Sequence, residues 1–323
     1  MTDPDTTLFN ALGFRWDRSA VPTEIPQRSP ERVCFRLHKM LAEFVWDAGV
    51  LEGNPFTFPQ VQTLLDGVTV GGHRLSDQDQ ILHLAESTRR LLALVRNGQF
   101  TLSKPIFVEL NGIVARNEAL EWGVFRGEGH ETAYTPDVAL GEHGRHTPLP
   151  TLPGAPELNR VFREGVAALE ACEPFERATA FFLFGALQQF FFDGNKRTSR
   201  LMMNGVLMAH GIDAISIPAA SALAFNEKMV RFYLSKDATE MMDFLARCHP
   251  DGCRVAQADA DDPDGPRGTA AQSRPLLVAR RDRGLELLPP APSGHFVERR
   301  TRRDLARGWR QAPTGRPQTG HRH

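Results

Sequence analysis

The sequence predicts an all-α fold, a helical bundle with one small β-hairpin. Most of the chain between residues 29 and 249 consists of segments whose apolar residues recur at helical spacing, and glycine, proline or capping residues separate these segments. One stretch, residues 127–150, differs because it is rich in glycine, proline, threonine and histidine. It contains the only short segments that suit strands, so we expect the hairpin there.

Composition and charge narrow the class of protein. The chain has 323 residues, enough for one large domain with extensions or for two domains, and its formal net charge of −1 predicts no general affinity for nucleic acid or anionic membranes. Its four cysteines are scattered, which is typical of a reducing compartment. The N-terminus lacks the basic and apolar regions of a secretory signal, and two glutamines interrupt the apolar run over residues 178–192. We therefore expect a cytoplasmic protein with no membrane span.

Local signals predict the first elements. Residues 1–28 contain several prolines and no clear period, so we expect an extended arm there. The apolar residues expected to fix this arm are Leu8, Phe9, Phe14 and Trp16. Ser29 and Pro30 are a capping residue and a proline at the first helical position, and they predict a helix that runs to about Leu51. The Glu-Gly-Asn-Pro sequence over residues 52–55 ends it.

The remaining elements follow from the same kinds of signal. Helices are predicted over residues 58–66, from Ser76 as N-cap to Arg96, from Ser103 onward, over residues 155–171, on both sides of a glycine turn at residue 194, and over residues 226–234 and 237–245. Short strands are predicted around residues 132–134 and 137–140. The segments over residues 178–192 and 201–208 are apolar almost all round, so both should be buried.

The glycine turn between these two buried segments carries the clearest functional signal. Gly194 lets the chain come close to a ligand, and the helix that follows presents unpaired N–H groups and a partial positive charge at its start. Arg197, Arg200 and Asn204 lie on one face of this helix, and arginine forks suit phosphate oxygens. Asp193 could hold a divalent cation between phosphates. These residues predict a polyphosphate site; the alternative is an ordinary Gly-Asn helix start.

The same stretch resembles the signature of the Fic family, which has the Fido fold: His-Pro-Phe-x-Asp-Gly-Asn-Gly/Lys-Arg-x-x-Arg. The matching residues are Phe191, Asp193, Gly194, Asn195, Lys196, Arg197 and Arg200. Proteins of this family typically transfer AMP from ATP to a hydroxyl group of a target protein. The resemblance implies that Asp193 binds Mg²⁺ and that Arg200 meets the γ-phosphate. It also implies that residues 194–197 hold the α- and β-phosphates of ATP.

One departure from the signature affects catalysis. Gln189 stands where the family has its catalytic histidine, and Phe190 replaces the following proline. Glutamine can orient a hydroxyl group but cannot accept a proton near neutral pH, and loss of a general base typically costs about 10²–10⁴-fold in rate. Two hypotheses therefore stay open, a protein adenylyltransferase acting on a Ser, Thr or Tyr hydroxyl and a catalytically silent nucleotide-binding regulator. Transfer of another phosphate-containing group is a third.

A second motif lies upstream. The sequence from Ala48 to Asn54 resembles the inhibitory helix of many Fic proteins, Ser/Thr-x-x-x-Glu-Gly/Asn, although alanine occupies the Ser/Thr position. The resemblance implies that Glu52 pairs with Arg200 and blocks the productive position of the γ-phosphate. The alternative is that Glu52 ends a helix in solvent.

The family also has a β-hairpin flap that holds the target peptide by strand addition. The residues expected at its edge are Thr132, Ala133 and Tyr134. Three histidines in this region, His130, His143 and His146, are interpreted as solvated loop residues, with replacement of the missing base as the alternative. Asn111 stands where relatives commonly have a histidine, and we assign it no role from the sequence.

The resemblance covers residues 30–247. The predicted domains are an arm over residues 1–28, N-terminal helices over 29–110 that include the inhibitory helix, a Fido core over 111–249 and a disordered tail over 250–323. The tail is rich in arginine, which is typical either of a segment that contacts nucleic acid or of a disordered product of a GC-rich coding region. The expected ligands are ATP and Mg²⁺, the expected partner is an unidentified target protein, and a homo-oligomer stays open.

Overall fold

The computed structural model describes residues 4–251, and helices dominate this range, which confirms the all-α prediction. The α-helices are α1 (Pro4–Leu12), α2 (Pro30–Lys39), α3 (Leu41–Leu51), α4 (Phe58–Leu65), α5 (Leu75–Arg96), α6 (Lys104–Val114), α7 (Pro156–Leu169), α8 (Pro174–Gln188), α9 (Asn195–Ala209), α10 (Ala222–Ser235) and α11 (Thr239–Arg247). The strands are β1 (Val138–Ala139) and β2 (Arg145–His146). Within the described range, no helix is long and apolar enough to cross a membrane.

Contacts between residues divide the described chain into two units. Residues 4–137 and 147–251 form the helical unit, and residues 138–146 form the hairpin unit. In the hairpin, β1 and β2 are antiparallel, and Val138 lies opposite His146. The predictions made for the arginine-rich tail lie outside the described residues, apart from its first two positions.

The core of the helical unit is built around α8 and α9, the helices on either side of the glycine turn. α8 is buried along nearly its whole length, as its apolar residues predict. Gly185 of α8 permits a close approach, because a Cβ atom there would lie 2.1 Å from the Ser199 Oγ of α9. A cluster of phenylalanines extends this core; its members include Phe107, Phe125, Phe162, Phe181, Phe190 and Phe191. The turn between α8 and α9 is therefore anchored in this closely packed aromatic cluster.

The N-terminal segment is partly helical, which corrects the prediction of an extended arm. The apolar face of α1 spans barely two turns, which is too short to stand out as a period in the sequence. After α1 the segment pairs with distant parts of the chain: Arg15 forms a β-bridge with Asp237, and Gln27 forms one with Ile212. The expected anchors that are buried are Leu8, Phe14 and Trp16.

The helix predicted from Ser29 to Leu51 is interrupted. Ser29 caps it as expected, because its hydroxyl accepts a hydrogen bond from the Arg32 N–H at 3.3 Å. Met40, however, leaves helical geometry, with φ −100° and ψ 14°, and separates α2 from α3. No glycine or proline marks this point, so no local signal predicts the break. Its consequence is that the two helices differ in packing: α2 lies against α5 and α9, whereas α3 lies against α4 and α5.

Most other helix boundaries agree with the sequence. α4, α6, α7, α10 and α11 occupy the predicted segments, and Gly98 and Gly211, both at positive φ, follow the ends of α5 and α9. The N-cap predicted at Ser76 is wrong, because α5 already begins at Leu75. Arg74 holds the N-cap position, and its side chain makes no capping hydrogen bond.

The two strand predictions have different outcomes. The one over residues 137–140 is confirmed by β1, whereas the one over residues 132–134 is wrong. In place of a strand, the Glu131 carboxylate accepts hydrogen bonds from the backbone N–H groups of Ala133 and Tyr134, at 2.8 and 2.9 Å. This glutamate therefore satisfies locally the N–H groups that a neighbouring strand would otherwise pair.

Candidate phosphate-binding site

The turn between α8 and α9 is held in shape by its own side chains. Gln189 follows α8 at φ 51°, and Gly194 precedes α9 at φ 76°. The Asn195 Oδ1 accepts from the Phe191 N–H at 2.9 Å, and the Asn195 Nδ2 donates to the Phe191 carbonyl at 2.8 Å. The same Nδ2 donates to the Gln189 Oε1 at 2.9 Å. The first residue of α9 therefore closes the turn.

Gly194 is required at its position for two reasons. Its φ of 76° is costly for other residues. A Cβ atom would also lie 3.2 Å from side-chain atoms of Asn111, Val114 and Ala115. Because the turn is pressed against the end of α6, a larger residue would displace it.

Asn111 supports the turn from α6, a role that the sequence alone does not predict. Its side chain is fully buried, its Nδ2 donates to the Asp193 carbonyl at 3.0 Å, and its Oδ1 accepts from the Gly123 N–H at 3.0 Å. A signal for this role does exist. Asn111 lies at helical spacing from Phe107 and Val114 on the buried face of α6. A polar residue on such a face needs hydrogen-bond partners.

Arg197, the first arginine of α9, is buried among carboxylates. Only 4% of its side chain is exposed; its NH1 lies 2.8 Å from the Glu118 Oε2 and its NH2 lies 3.1 Å from the Asp193 Oδ1. Burial alone lowers the pKa of this guanidinium, but the negative charges of Asp193, Glu118 and Glu52 outweigh burial and raise it. Glu118 is thus a residue of the site that has no counterpart among the predicted positions.

Arg200 lies one helical turn further and contacts the residue that follows α3. Its NH2 donates to the Glu52 Oε1 at 3.0 Å, and both side chains are largely buried. The structure therefore brings together the pair that the resemblance implied. Burial lowers the pKa of Arg200, and the Glu52 charge opposes this effect. The Arg200 NH1 is buried and has no hydrogen-bond partner among residues 4–251.

The charges around Glu52 decide its protonation state. Burial raises the pKa of Glu52, but the positive charges of Lys196, Arg200 and Arg197 outweigh burial and bring the pKa to about 2. Glu52 is therefore ionised near neutral pH. The Glu52 carboxylate is thus an anion held among three cationic side chains.

Gln189, at the position of the family's histidine, uses both ends of its side chain inside the protein. Its Nε2 donates to the Ala186 carbonyl at 2.6 Å, and its Oε1 accepts from the Asn195 Nδ2 at 2.9 Å. The residue is buried. Because an amide does not accept a proton near neutral pH, Gln189 supports the turn and supplies no general base.

Arg126 is a fully buried cation that holds the same turn. Its Nε donates to the Gln189 carbonyl at 2.6 Å, its NH1 to the Thr151 Oγ1 at 2.6 Å and its NH2 to the Leu149 carbonyl at 3.0 Å. Its backbone N–H donates to the Phe190 carbonyl at 2.9 Å. Since these acceptors are all neutral, burial lowers the pKa of Arg126 to about 10. Its place in an irregular, glycine-rich segment gives no sign of this role.

Two other residues of α9 have different surroundings. Lys196 is partly exposed, and its charge acts on Glu52. Asn204, expected on the same face as the two arginines, is fully buried and bonds the backbone of Ile215, with its Nδ2 donating to the carbonyl at 3.0 Å and its Oδ1 accepting from the N–H at 2.8 Å. The Asn204 side chain is therefore used in hydrogen bonds to the Ile215 backbone and does not belong to the site.

The residues expected at a target-binding flap lie in the turn after Glu131 and outside the hairpin unit. Tyr134 is 46% exposed, and its ring stacks on Phe192 with the centroids 6.3 Å apart. Thr132 and Ala133 precede it in the same turn. The exposed histidines of this region are His130 and His143. Contact of the flap residues with a target stays a prediction.

A divalent cation at this site would depend on Asp193. Its Oδ1 already accepts hydrogen bonds from the Arg197 NH2 and from the Gly194 N–H. No group of three or more His, Cys, Asp or Glu side chains that could hold a metal ion occurs in the described part of the chain. A cation would therefore take most of its ligands from phosphate oxygens and water. Asp193 is thus the one predicted metal ligand of the site, and its binding of Mg²⁺ stays a prediction.

Known proteins share this architecture. No protein-family model matches the sequence, and no curated protein matches it significantly. Solved structures do match. A Fic-domain-containing signaling protein from Bacteroides thetaiotaomicron superposes with a TM-score of 0.54 and 18% sequence identity, over 81% of this chain and 100% of that chain.

Two further structures agree. A Fic family protein from Desulfovibrio desulfuricans has a TM-score of 0.52 and 16% identity, over 79% of this chain and 74% of its own. Fic-1 from C. elegans has a TM-score of 0.50 and 19% identity, over 68% and 69%. Identities in this range establish the fold and nothing finer. From the order of the helices, the buried α8–α9 pair and these matches, we conclude that the chain has the fold of the Fic-domain proteins.

Proposed function

We propose that the chain is a Fic-family protein adenylyltransferase that binds ATP with Mg²⁺ at the α8–α9 turn. The observation that carries this proposal is the pair of buried arginines, Arg197 and Arg200, on successive turns of α9 next to its N-terminus. Arg200 keeps one buried nitrogen without a partner in the described part of the chain. Such an atom is expected where a ligand oxygen binds.

Groups of different kinds would bind the phosphates. The N–H groups at the start of α9, together with Lys196 and Arg197, would hold the α- and β-phosphates. Arg200 would hold the γ-phosphate. Asp193 would hold Mg²⁺, which supplies positive charge that offsets the charge of the phosphate oxygens.

The proposed reaction is the transfer of AMP to a Ser, Thr or Tyr hydroxyl of an unidentified target protein. The hydroxyl oxygen bonds to the α-phosphorus, pyrophosphate leaves with the electron pair of the broken P–O bond, and the hydroxyl proton passes to solvent. Because Gln189 is no base, the residues present act by positioning and by stabilising charge. We expect a rate about 10²–10⁴-fold below that of a site with a positioned base.

Glu52 would hold this site in a restrained state. Its carboxylate lies 3.0 Å from the Arg200 NH2, so a γ-phosphate in contact with the NH1, which is unpaired in the described chain, could not also bind this second nitrogen while Glu52 is in place. A bound ATP must therefore displace Glu52 or place its γ-phosphate elsewhere. Autoinhibition of this kind depends on the position of α3, whose C-terminal end presents Glu52.

A catalytically silent nucleotide-binding regulator is the second candidate. It is favoured by the buried Gln189 side chain, whose two polar ends both bond the protein. In such a protein, a bound nucleotide would displace Glu52 and so change the position of α3 without undergoing reaction.

Labelled ATP distinguishes the two candidates. Glu52→Gly protein is incubated with Mg²⁺, a host lysate and ATP labelled at the α- or the γ-phosphate, and Glu52→Gly/Gln189→His protein is treated in parallel. If α-label appears on protein while Gln189 is present, the transferase is supported. If α-label appears only after Gln189→His, the site is intact and the natural protein is the silent regulator.

The control is Arg200→Ala in the Glu52→Gly background, which removes a phosphate contact without altering the turn. Label from the γ-phosphate alone would indicate phosphotransfer. If no variant binds ATP or becomes labelled, both candidates are wrong.

A further inference from the structure

A second carboxylate, outside the motif that contains Glu52, neutralises the site. Glu118 lies in the turn after α6, and its Oε2 accepts from the Arg197 NH1 at 2.8 Å. This contact is shorter than the 3.0 Å between Glu52 and Arg200. Arg200 thus contacts Glu52, whereas Arg197 contacts Glu118 at 2.8 Å, Asp193 at 3.1 Å and Glu52 at 3.9 Å.

The charges of the site cancel in the absence of a ligand. The cationic side chains that act on Glu52 are Lys196, Arg197 and Arg200. The carboxylates that act on Arg197 are Asp193, Glu118 and Glu52. A site with three charges of each sign exerts little net attraction on a polyanion. Removal of Glu52 alone would open Arg200 and leave Arg197 paired.

Two of the charged side chains in the site have a polar atom without a hydrogen-bond partner within residues 4–251. The Glu118 Oε1 and the Arg200 NH1 are both buried, and neither has a hydrogen-bond partner in the part of the chain that the structure describes. Buried polar atoms without partners cost stability. A phosphate would satisfy Arg200, and water would satisfy a Glu118 carboxylate that moves away from Arg197.

Glu118 is held in place from the end of α3. Its Oε2 also accepts from the Gln80 Nε2 at 3.2 Å, and the Gln80 Oε1 accepts from the Asn54 Nδ2 at 3.0 Å. Asn54 follows Glu52 by two residues. A chain of hydrogen bonds therefore runs from the end of α3 through α5 to the carboxylate on Arg197.

We propose that Glu118 occupies Arg197 as a second inhibitory carboxylate and so limits the affinity of the site for polyphosphates. The hydrogen bonds through Asn54 and Gln80 keep it in that position. This inference rests on the proposed function, because it takes the site to be one that binds the phosphates of a nucleotide. Movement of Glu52 releases Arg200, and the shortest ion pair of Arg197 is released only when Glu118 moves.

Calorimetric titration of the full chain with inorganic tripolyphosphate, and with ATP and Mg²⁺, tests the inference in the Glu52→Gln background. Glu118→Gln should tighten binding about tenfold, because it removes a negative charge in contact with Arg197 and keeps the shape of the side chain. Gln80→Leu should act in the same direction by a smaller factor, because it frees Glu118 without changing any charge.

The matched control is Glu164→Gln. Glu164 pairs with Arg160 on an exposed face of α7, at 2.6 Å, so this variant changes the net charge equally and should leave affinity unchanged. If the Glu118→Gln protein does not fold, Gln80→Leu alone decides.

Three results would count against the inference. Unchanged or weaker binding by the Glu118→Gln and Gln80→Leu proteins, while the Glu52→Gln parent binds ligand, would overturn it and make Glu118 a support for Arg197. Tighter binding by Glu118→Gln with no effect of Gln80→Leu would support Glu118 and overturn the role of the hydrogen-bond chain. If no variant binds either ligand, the proposed function is itself wrong, and the inference is overturned with it.

Discussion

Asn195 is the residue on which the shape of the α8–α9 turn depends most directly. Its amide makes three hydrogen bonds, to both backbone groups of Phe191 and to the Gln189 side chain. We expect Asn195→Ala to lower the free energy of unfolding by about 2–4 kcal/mol, because several buried polar groups lose their partners. Denaturant titration measures this loss, and calorimetry in the Glu52→Gly background should show that ATP binding disappears. Asn195→Asp keeps the hydrogen-bond acceptor and removes the donors. Its free energy of unfolding should lie between those of the wild type and the Asn195→Ala protein. An Asn195→Ala protein as stable as the wild type would contradict this role.

The ionised state of Glu52 makes stability depend on pH. Its pKa is about 2 in the folded protein, whereas a glutamate in an unfolded chain has a pKa of about 4.3. Because folding lowers the pKa, the contribution of Glu52 is fully present above about pH 4.5 and is lost as the pH falls toward about 2. The difference in unfolding free energy between wild type and Glu52→Gln should therefore shrink over this range. A difference that stays constant would mean that the ion pair with Arg200 contributes nothing.

Residue type and spacing predict part of the site and not the rest. The turn glycine, Asp193 and the two arginines of α9 lie close together in the sequence, so their chemistry is visible there. Glu118 and Arg126 are different, because their partners are distant in the sequence. Glu118 contacts Arg197, 79 positions away, and Arg126 contacts Gln189, 63 positions away. Only the folded chain brings such partners together, and without an observed contact a single glutamate or arginine resembles any surface charge.

At the scale of elements, α3 is anchored by Asp47 as well as by Glu52. The buried Asp47 carboxylate accepts hydrogen bonds from the Ser216 hydroxyl and the Ala219 N–H, both at 2.8 Å. We expect Asp47→Ala to cost about 1–3 kcal/mol of stability, because it leaves these buried donors without an acceptor. It should also loosen α3, which amide hydrogen exchange over residues 41–51 would show as faster exchange.

The matched control for Asp47 is Glu43→Ala, which removes an exposed acid from the same helix. Loosening of α3 should also weaken the hold of Glu52 on Arg200, so the Asp47→Ala protein should bind ATP more tightly than the wild type. Unchanged exchange in α3 would show that the Asp47 hydrogen bonds do not anchor this helix.

The elements that the sequence predicts correctly are those with a long apolar segment and with glycine, proline or capping residues near their ends. α5 is followed by Gly98, α8 begins at Pro174, and α9 begins directly after Gly194 and is followed by Gly211. The missed elements lack one or the other: α1 is too short to show a period, and the break at Met40 carries no glycine or proline. The strand predicted at residues 132–134 does not form, because residue types that favour a strand are not enough without a neighbouring strand to pair with.

At the scale of the whole molecule, ligand binding should appear as thermal stabilisation. A ligand that binds only the folded state adds about 2.7 kcal/mol at a concentration 100 times its Kd. If Glu52 restrains the site, the Tm of the Glu52→Gly protein should rise more than that of the wild type at equal concentrations of ATP and Mg²⁺. Adding Arg200→Ala should remove the increase. Equal shifts for wild type and Glu52→Gly would mean that Glu52 is no restraint.

Several expectations for the whole chain stay predictions. They are the division into arm, N-terminal helices, core and tail, the cytoplasmic location and the homo-oligomer. Each depends on contacts between molecules or between separate parts of the chain, or on the cell, and none of these is encoded in local periodicity.

The pairing of the N-terminal segment with the end of the helical unit affects how the protein folds during synthesis. Arg15 and Gln27 have their bridge partners at Asp237 and Ile212. At about 5–20 residues per second, a ribosome delivers these partners roughly 10–40 s after the segment itself. During that interval, Trp16 can pack against Phe9 and Phe14 of its own segment, but the bridge partners of the segment are missing. This segment is therefore among the last parts of the described chain to complete its pairing, and it is there that a nascent chain of this protein would most need a chaperone.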